Sequence, residues 1–201
     1  MMNSNIVDVY YTSDLHVGHA NVIKYCNRPY NNKEEMNEAI IEKWNSKASP
    51  GSVVYHLGDF CFWGTTRAAE LKDYLLRLNG QIRIVWGNHD NHNLWYKMLD
   101  EYPELKGKVQ ILGDIAFPKI NGQKIFMCHY PMISWNGKHY GAWHMFGHVH
   151  GTMPVTEGLS MDVGIDSHPK FEIYSHDEVV EIMSKKSVRD GHYSDYHASD
   201  I

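Results

Sequence analysis

Five short apolar runs in this chain each stop at an Asp, Asn or His, commonly with a Gly alongside. They read "IVDVYYTSDLH", "SVVYHLGDF", "IRIVWGNHD", "KIFMCHYP" and "AWHMFGHVHG". Runs of this length, rich in β-branched and aromatic residues, are strand material. Singly, a polar residue behind a strand is an ordinary turn former or helix cap, and a Gly there permits a tight turn. A lone His inside such a run, like His56, is most simply a core residue. Five such ends in succession constrain the chain harder. In layered α/β folds the carboxyl ends of the strands border one crevice. These ends would pool Asp14, His16, Asp59, Asn88, His89, Asp90, His129, His148 and His150 there.

Strand patterns cover Ile6–Thr12, Val53–Leu57, Ile82–Trp86, Val109–Leu112, Lys124–Cys128, Ala142–Phe146, Met161–Ile165 and Phe171–Tyr174. Helical patterns fall between them. Leu71, Tyr74, Leu75 and Leu78 share one helical stripe that Asn79-Gly80 closes, and Met36, Ile40 and Trp44 form another behind the cap candidate Asn32. Shorter helices are predicted over Leu94–Leu99 and His176–Lys185. Strands alternate with helices early and dominate later, which predicts an α/β or α+β layered domain with mixed sheets. The expected organisation is one domain, 1–185, followed by a polar tail, 186–201.

Composition narrows the function. Lys+Arg number 19 against 24 Asp+Glu, a net charge of -5, so a general grip on duplex DNA is not expected. Histidine is the outlier at 14 residues, and it is both the commonest metal ligand and the natural proton carrier near neutral pH. Cys26, Cys61 and Cys128 are odd in number and form no CxxC pair, which points to a reducing compartment. No leader pattern and no run near the roughly 20 apolar residues of a membrane helix is present, so a cytoplasmic protein is expected.

The ordered set "DLH", "GD", "GNHD", the His of "CHYP" and "GHVH" resembles the signature of the calcineurin-like metallophosphoesterases, over about residues 6 to 165. The resemblance implies an α/β (α+β) four-layer sandwich, two mixed β-sheets packed face to face and flanked by helices. It implies two divalent metal ions, with Asp14, His16 and His150 on the first, Asn88, His129 and His148 on the second, and Asp59 bridging. It also implies His89 as general acid, with Asp90 either orienting it or capping the next helix. Mixed imidazole, carboxylate and amide donors suit Mn foremost, with Fe, Ni or Zn as alternatives. Only two carboxylates would face two dications, which leaves the pocket net cationic and suited to an anionic substrate.

The implied activity is hydrolysis of a phosphate ester, a diester in preference, by in-line attack of a metal-bound hydroxide. The expected partner is a small phosphoester or nucleotide-type substrate. His19, Arg28 and Lys138 are candidate phosphate contacts, and Tyr130, Trp135 and Tyr140 candidate stacking residues. The phosphoprotein phosphatases carry a second acid shortly after the bridging Asp, and "DFCFWG" has none. Two other readings remain: an SbcD-type nuclease on single-stranded nucleic acid, and a binding scaffold that has lost catalysis.

Overall fold

The computed structural model describes residues 7–154 and 156–189. In chain order the first half holds β1 (Val9–Thr12), α1 (Ala20–Tyr25), α2 (Lys33–Lys47), β2 (Val53–His56), α3 (Ala68–Arg77), β3 (Gln81–Val85), α4 (His92–Glu101) and β4 (Val109–Gly113). The second half holds β5 (Ile115–Ala116), β6 (Lys119–Ile120), β7 (Gln123–Cys128), β8 (Trp143–Phe146), β9 (Ser160–Asp162), β10 (Tyr174–Ser175) and α5 (His176–Ser184).

Two mixed sheets result. The first has the order β10-β1-β2-β3-β4, with β1 to β4 parallel and β10 antiparallel to β1. In the second, β7, β8 and β9 are parallel, while β5 and β6 pair antiparallel with β7. The parallel strands need crossover connections, and α2 and α3 supply two of them.

Strand alternation sorts the core. Tyr11, Tyr55 and Val85 face the second sheet, meeting Ile125, Met127 and Met145. Val54, Ile82 and Ile84 face the helices, meeting Ile40, Leu71, Leu75, Trp95 and Met98. Both faces of the parallel strands are therefore covered, which is why their sequences run apolar almost without a break. The outer face of the second sheet carries a small cluster, Phe126, Cys128, Trp135 and Ala142.

The helix stripes behave as the periodicity predicts. Asn32 accepts from the Glu35 amide at the start of α2, and Met36, Ile40 and Trp44 are buried. Ser175 and Glu178 form a reciprocal capping box on α5. The short α1 was not expected: only Val22 of its six residues is buried, and His19 at its start makes no side-chain cap. The strand predicted over Phe171–Tyr174 pairs only at Tyr174 and Ser175.

The carboxyl ends of β1, β2, β3, β7 and β8 share one edge of the molecule. There an isolated parallel bridge joins Ser13 to Gly164, and the Ile165 amide donates to the Ser13 carbonyl. Of the predicted tail, residues 190–201 lie outside the described residues. No helix among the described residues is long and apolar enough to cross a membrane.

Candidate metal centre

Past the last paired residues of β1, β2 and β8 the backbone enters the left-handed region. Asp14, His16, Asp59, His148 and His150 have φ of 58°, 51°, 58°, 71° and 49°. The left-handed region is uncommon for residues with a Cβ, and each such residue costs of order 1–3 kcal/mol. Here it turns five side chains out of the sheet planes into one basin. The neighbouring glycines make the room. A Cβ on Gly87 would collide with the carboxylate and amide of Asp59, and one on Gly147 with Ser13 and the Asp14 carboxylate.

The donor atoms form two overlapping groups. In the first, Asp14 Oδ1 lies 3.9 Å from His16 Nε2 and 3.8 Å from His150 Nε2. His16 Nε2 is also 3.6 Å from Asp59 Oδ2. In the second, His129 Nε2 lies 3.4 Å from the same Asp59 Oδ2 and 3.1 Å from Asn88 Oδ1, which is 3.0 Å from His148 Nδ1. One carboxylate oxygen thus belongs to both groups.

The unpaired atoms test whether these residues fit metal ions. Asp14 Oδ1 and His16 Nε2 are buried and have no hydrogen-bond partner. Orphaned polar atoms in a folded core are rare and costly, and a cation would satisfy both. Burial pushes the Asp14 carboxyl up to about 6 and the His16 imidazole down to about 3, so the protein does little to stabilise either charge itself.

Two of the four candidate imidazoles are also held by their Nδ1 partners. His129 Nδ1 sits 2.7 Å from the Leu57 carbonyl, and His150 Nδ1 sits 2.6 Å from Asp166 Oδ2. With Nδ1 donating, each ring turns the lone pair of Nε2 into the basin, the arrangement expected of metal-binding imidazoles.

His89 is exposed. Its main-chain amide donates to Asp59 Oδ1 at 2.8 Å, and its ring stands edge-on to His16, centroids 5.4 Å apart. It therefore stands beside the shared carboxylate with its ring free. Asp90 does not orient that ring. Its carboxylate accepts from the amides of Asp59, Phe60 and Gly87 at 2.8, 3.0 and 2.9 Å. Three amide donors occupy it, so it ties the ends of β2 and β3 together and sets the Asp59 backbone.

Two of the three expected phosphate contacts lie elsewhere. Arg28 is buried behind the basin, and its guanidinium pairs with both oxygens of Asp166, at 2.8 and 2.7 Å. The remaining donors go to the Asp14 carbonyl, the Leu15 carbonyl and the Met36 sulfur. No donor is left for a substrate, so Arg28 steadies the turn that carries Asp14 and, through Asp166, the His150 ring. Lys138 is buried in a 3-10 turn, where it donates to the Ile133 carbonyl and Glu157 and lies over Trp135. Buried partners hold it away from the basin. His19 does reach the cavity, stacked on Phe62 at 4.3 Å. Of the candidate stacking residues, Tyr130 stands edge-on to His148 at the centre. Trp135 is buried, while Tyr140 is almost wholly exposed in the turn with Lys138.

Asp166 was missed in the sequence, although "MDVGID" carries the same signal: an apolar run, a Gly and an acid. It lies outside the five ordered motifs.

Two packed mixed sheets with flanking helices, and Asp, Asn and His donors pooled at their strand ends, define a layered α/β fold with a candidate metal site. The chain belongs to the calcineurin-like phosphoesterase family, whose family model matches residues 8–176. It is 34% identical over 188 residues to an uncharacterized protein of Methanocaldococcus jannaschii, covering 90% of this chain and 93% of that protein. It is 24% identical over 196 residues to the gene 66 protein of Mycobacterium phage D29, covering 88% and 96%. The fold is shared with a crystal structure of a protein of unknown function from Aquifex aeolicus, at a TM-score of 0.63 and 20% identity, covering 88% of this chain and 99% of that one.

Proposed function

We propose that the protein is a metal-dependent phosphodiesterase of a reducing, cytoplasmic compartment, with Mn the foremost metal. The observation that carries this reading is Asp59 Oδ2, common to two donor groups, with the His89 ring free and exposed beside it. Two divalent cations bound there would neutralise the phosphoryl oxygens and activate water at neutral pH.

The chain's own residues divide the remaining work. Asp14, His16 and His150 hold one side, Asn88, His129 and His148 the other, and Asp59 both. With only two carboxylates among them, the loaded basin attracts an anionic ester. Hydrolysis of a diester expels an alkoxide, which needs a proton. His89 supplies it, a contribution often worth roughly 10²–10⁴-fold. Asp90 holds the Asp59 and Gly87 backbones in place for this arrangement.

The test uses metal-stripped protein titrated with Mn²⁺, assayed on bis-p-nitrophenyl phosphate and p-nitrophenyl phosphate. Metal-dependent turnover of the diester, lost in Asp59→Asn, is expected. Turnover of the monoester alone would replace this reading with a phosphatase.

A further inference from the structure

The basin has two mouths of different chemistry. One, a cavity of about 350 Å³, passes Asn88, His129 and Tyr130 and has the acidic residues Asp90 and Asp114 in its lining. The other, about 540 Å³, is bordered by His89, by His16 and His150 of the first donor group, and by His148 of the second. Apart from imidazoles, no charged side chain lines it: the rest of the wall is Val22, Tyr25, Cys26, Asn27, Val149 and Thr152. A leaving group protonated by His89 must lie on the His89 side, in the uncharged mouth.

The rings of His19 and Tyr25 line that mouth, and Phe62 stands next to it, stacked on His19. Phe62 and His19 stack at 4.3 Å with planes 18° apart, and Phe62 also meets the His89 ring at 5.7 Å. Tyr25 stands edge-on to His19 at 6.4 Å. Phe62 is 49% exposed and Tyr25 75%, a large apolar area to leave in water at the lip of a catalytic basin.

The platform is also held in place. The loops after β1 and β2 are joined by a parallel bridge between Val17 and Cys61, with Val17 donating to the Phe60 carbonyl and Phe62 to the Val17 carbonyl, both at 2.9 Å. Gly18 lies flat against the Trp63 ring, where a Cβ would collide, and its amide donates to Asn37 Oδ1. The surface therefore exists before anything binds, and less ordering cost falls on the ligand. Asn27 adds an amide, and Thr152, whose hydroxyl donates to the Val149 carbonyl at 2.6 Å, adds an acceptor oxygen for the edge of a ring.

We infer that this mouth is a subsite for a nucleoside leaving group: the base stacks on the Phe62–His19 platform beside Tyr25, and His89 protonates the departing sugar oxygen. The inference rests on the phosphodiesterase reading. In the step, a P–O bond to the water oxygen forms as that water gives up a proton to solvent, the P–O5′ bond breaks, O5′ takes the His89 proton, and His89 regains one from solvent.

The test is internal competition on thymidine 5′-(ethyl phosphate), with Mn²⁺ present. Its two alcohols are both primary, and only one carries a ring. Cleavage on one side yields thymidine and ethyl phosphate; cleavage on the other yields ethanol and thymidine 5′-phosphate. Release of thymidine should exceed that of ethanol at least about tenfold, the scale of one base–aromatic stack. Phe62→Ala and Tyr25→Ala should each carry the ratio toward one, and Tyr25→Phe should preserve it. A product ratio does not depend on how much protein is folded.

A wild-type ratio near one, or a high ratio that both alanine variants leave intact, overturns the subsite. Bis-p-nitrophenyl phosphate is assayed in parallel. If it turns over and the thymidine ester does not, the subsite alone fails. If neither turns over with any divalent metal, the phosphodiesterase reading fails and the subsite falls with it.

Discussion

The two halves of the candidate metal centre are built differently. Asp14 and His16 of the first half are 0% and 3% exposed, carry unpaired atoms, and are backed by the Arg28–Asp166 pair. In the second half only His129 is buried; Asn88 and His148 are exposed, and the Asn88 amide oxygen already has imidazole neighbours. A buried, pre-oriented donor group loses little freedom when it takes a cation, whereas exposed side chains must be ordered first. The first half should hold its metal tightly and the second should exchange it. Asp59 couples them, so no substitution there can separate the two.

The largest effect should therefore come from Asp59→Asn. Removing the shared carboxylate should cost about 10³-fold or more in kcat, on the scale of the several kcal/mol that metal ions contribute to transition-state stabilisation. Metal content by mass spectrometry should fall at both positions. Loss at one alone would show that the carboxylate is not shared.

His89→Asn should lower kcat by roughly 10²–10⁴-fold on an alkyl diester and far less on a p-nitrophenyl ester, whose leaving group needs no proton. Metal content should not change. Equal losses on both esters would remove His89 from the acid role.

Asp166→Asn tests the asymmetry directly. It frees the His150 ring, and affinity for one of two calorimetrically resolved metals should fall about 10- to 100-fold. Arg28→Lys should follow it, because an ammonium cannot replace a guanidinium paired with both carboxylate oxygens. If both metals weaken equally, the two halves are one cooperative site and the comparison fails.

The smallest effect lies away from the centre and serves as its control. Burial opposes the charge of Glu178, but Lys47 and the Ser175 cap hold its carboxyl down to about 2. A folded value below the unfolded one, 4.5, means this stabilisation is present above pH 4.5 and disappears as pH falls toward 2. Glu178→Gln should flatten acid unfolding across that window in denaturant melts, with metal affinity at neutral pH unchanged. An unaltered acid transition would remove the ion pair from the account.

The parts of the site readable from sequence are those in which the chemistry is local. In "DLH", "GNHD" and "GHVH" the donor and the turn that aims it are within a few residues of one another. The helical stripes of α2 and α3 were legible for the same reason: periodicity is a short-range signal. Arg28 shows where this stops. Beside "CNRPY" a cation could face a phosphate or the interior, and its partner Asp166 is 138 positions away. Lys138 repeats the lesson with Glu157 and the Ile133 carbonyl.

The sequence alone thus determined the family, the layered strand-and-helix scheme and the identity of the donors, because each is written in short patterns of side-chain type and turn chemistry. Only the tertiary structure decided which cations face inward and that Asp166 and Asp90 brace the centre. It also placed Phe62 beside His19 at an uncharged mouth. Those outcomes depend on which distant segments pack together, and packing of that range is set by the whole core.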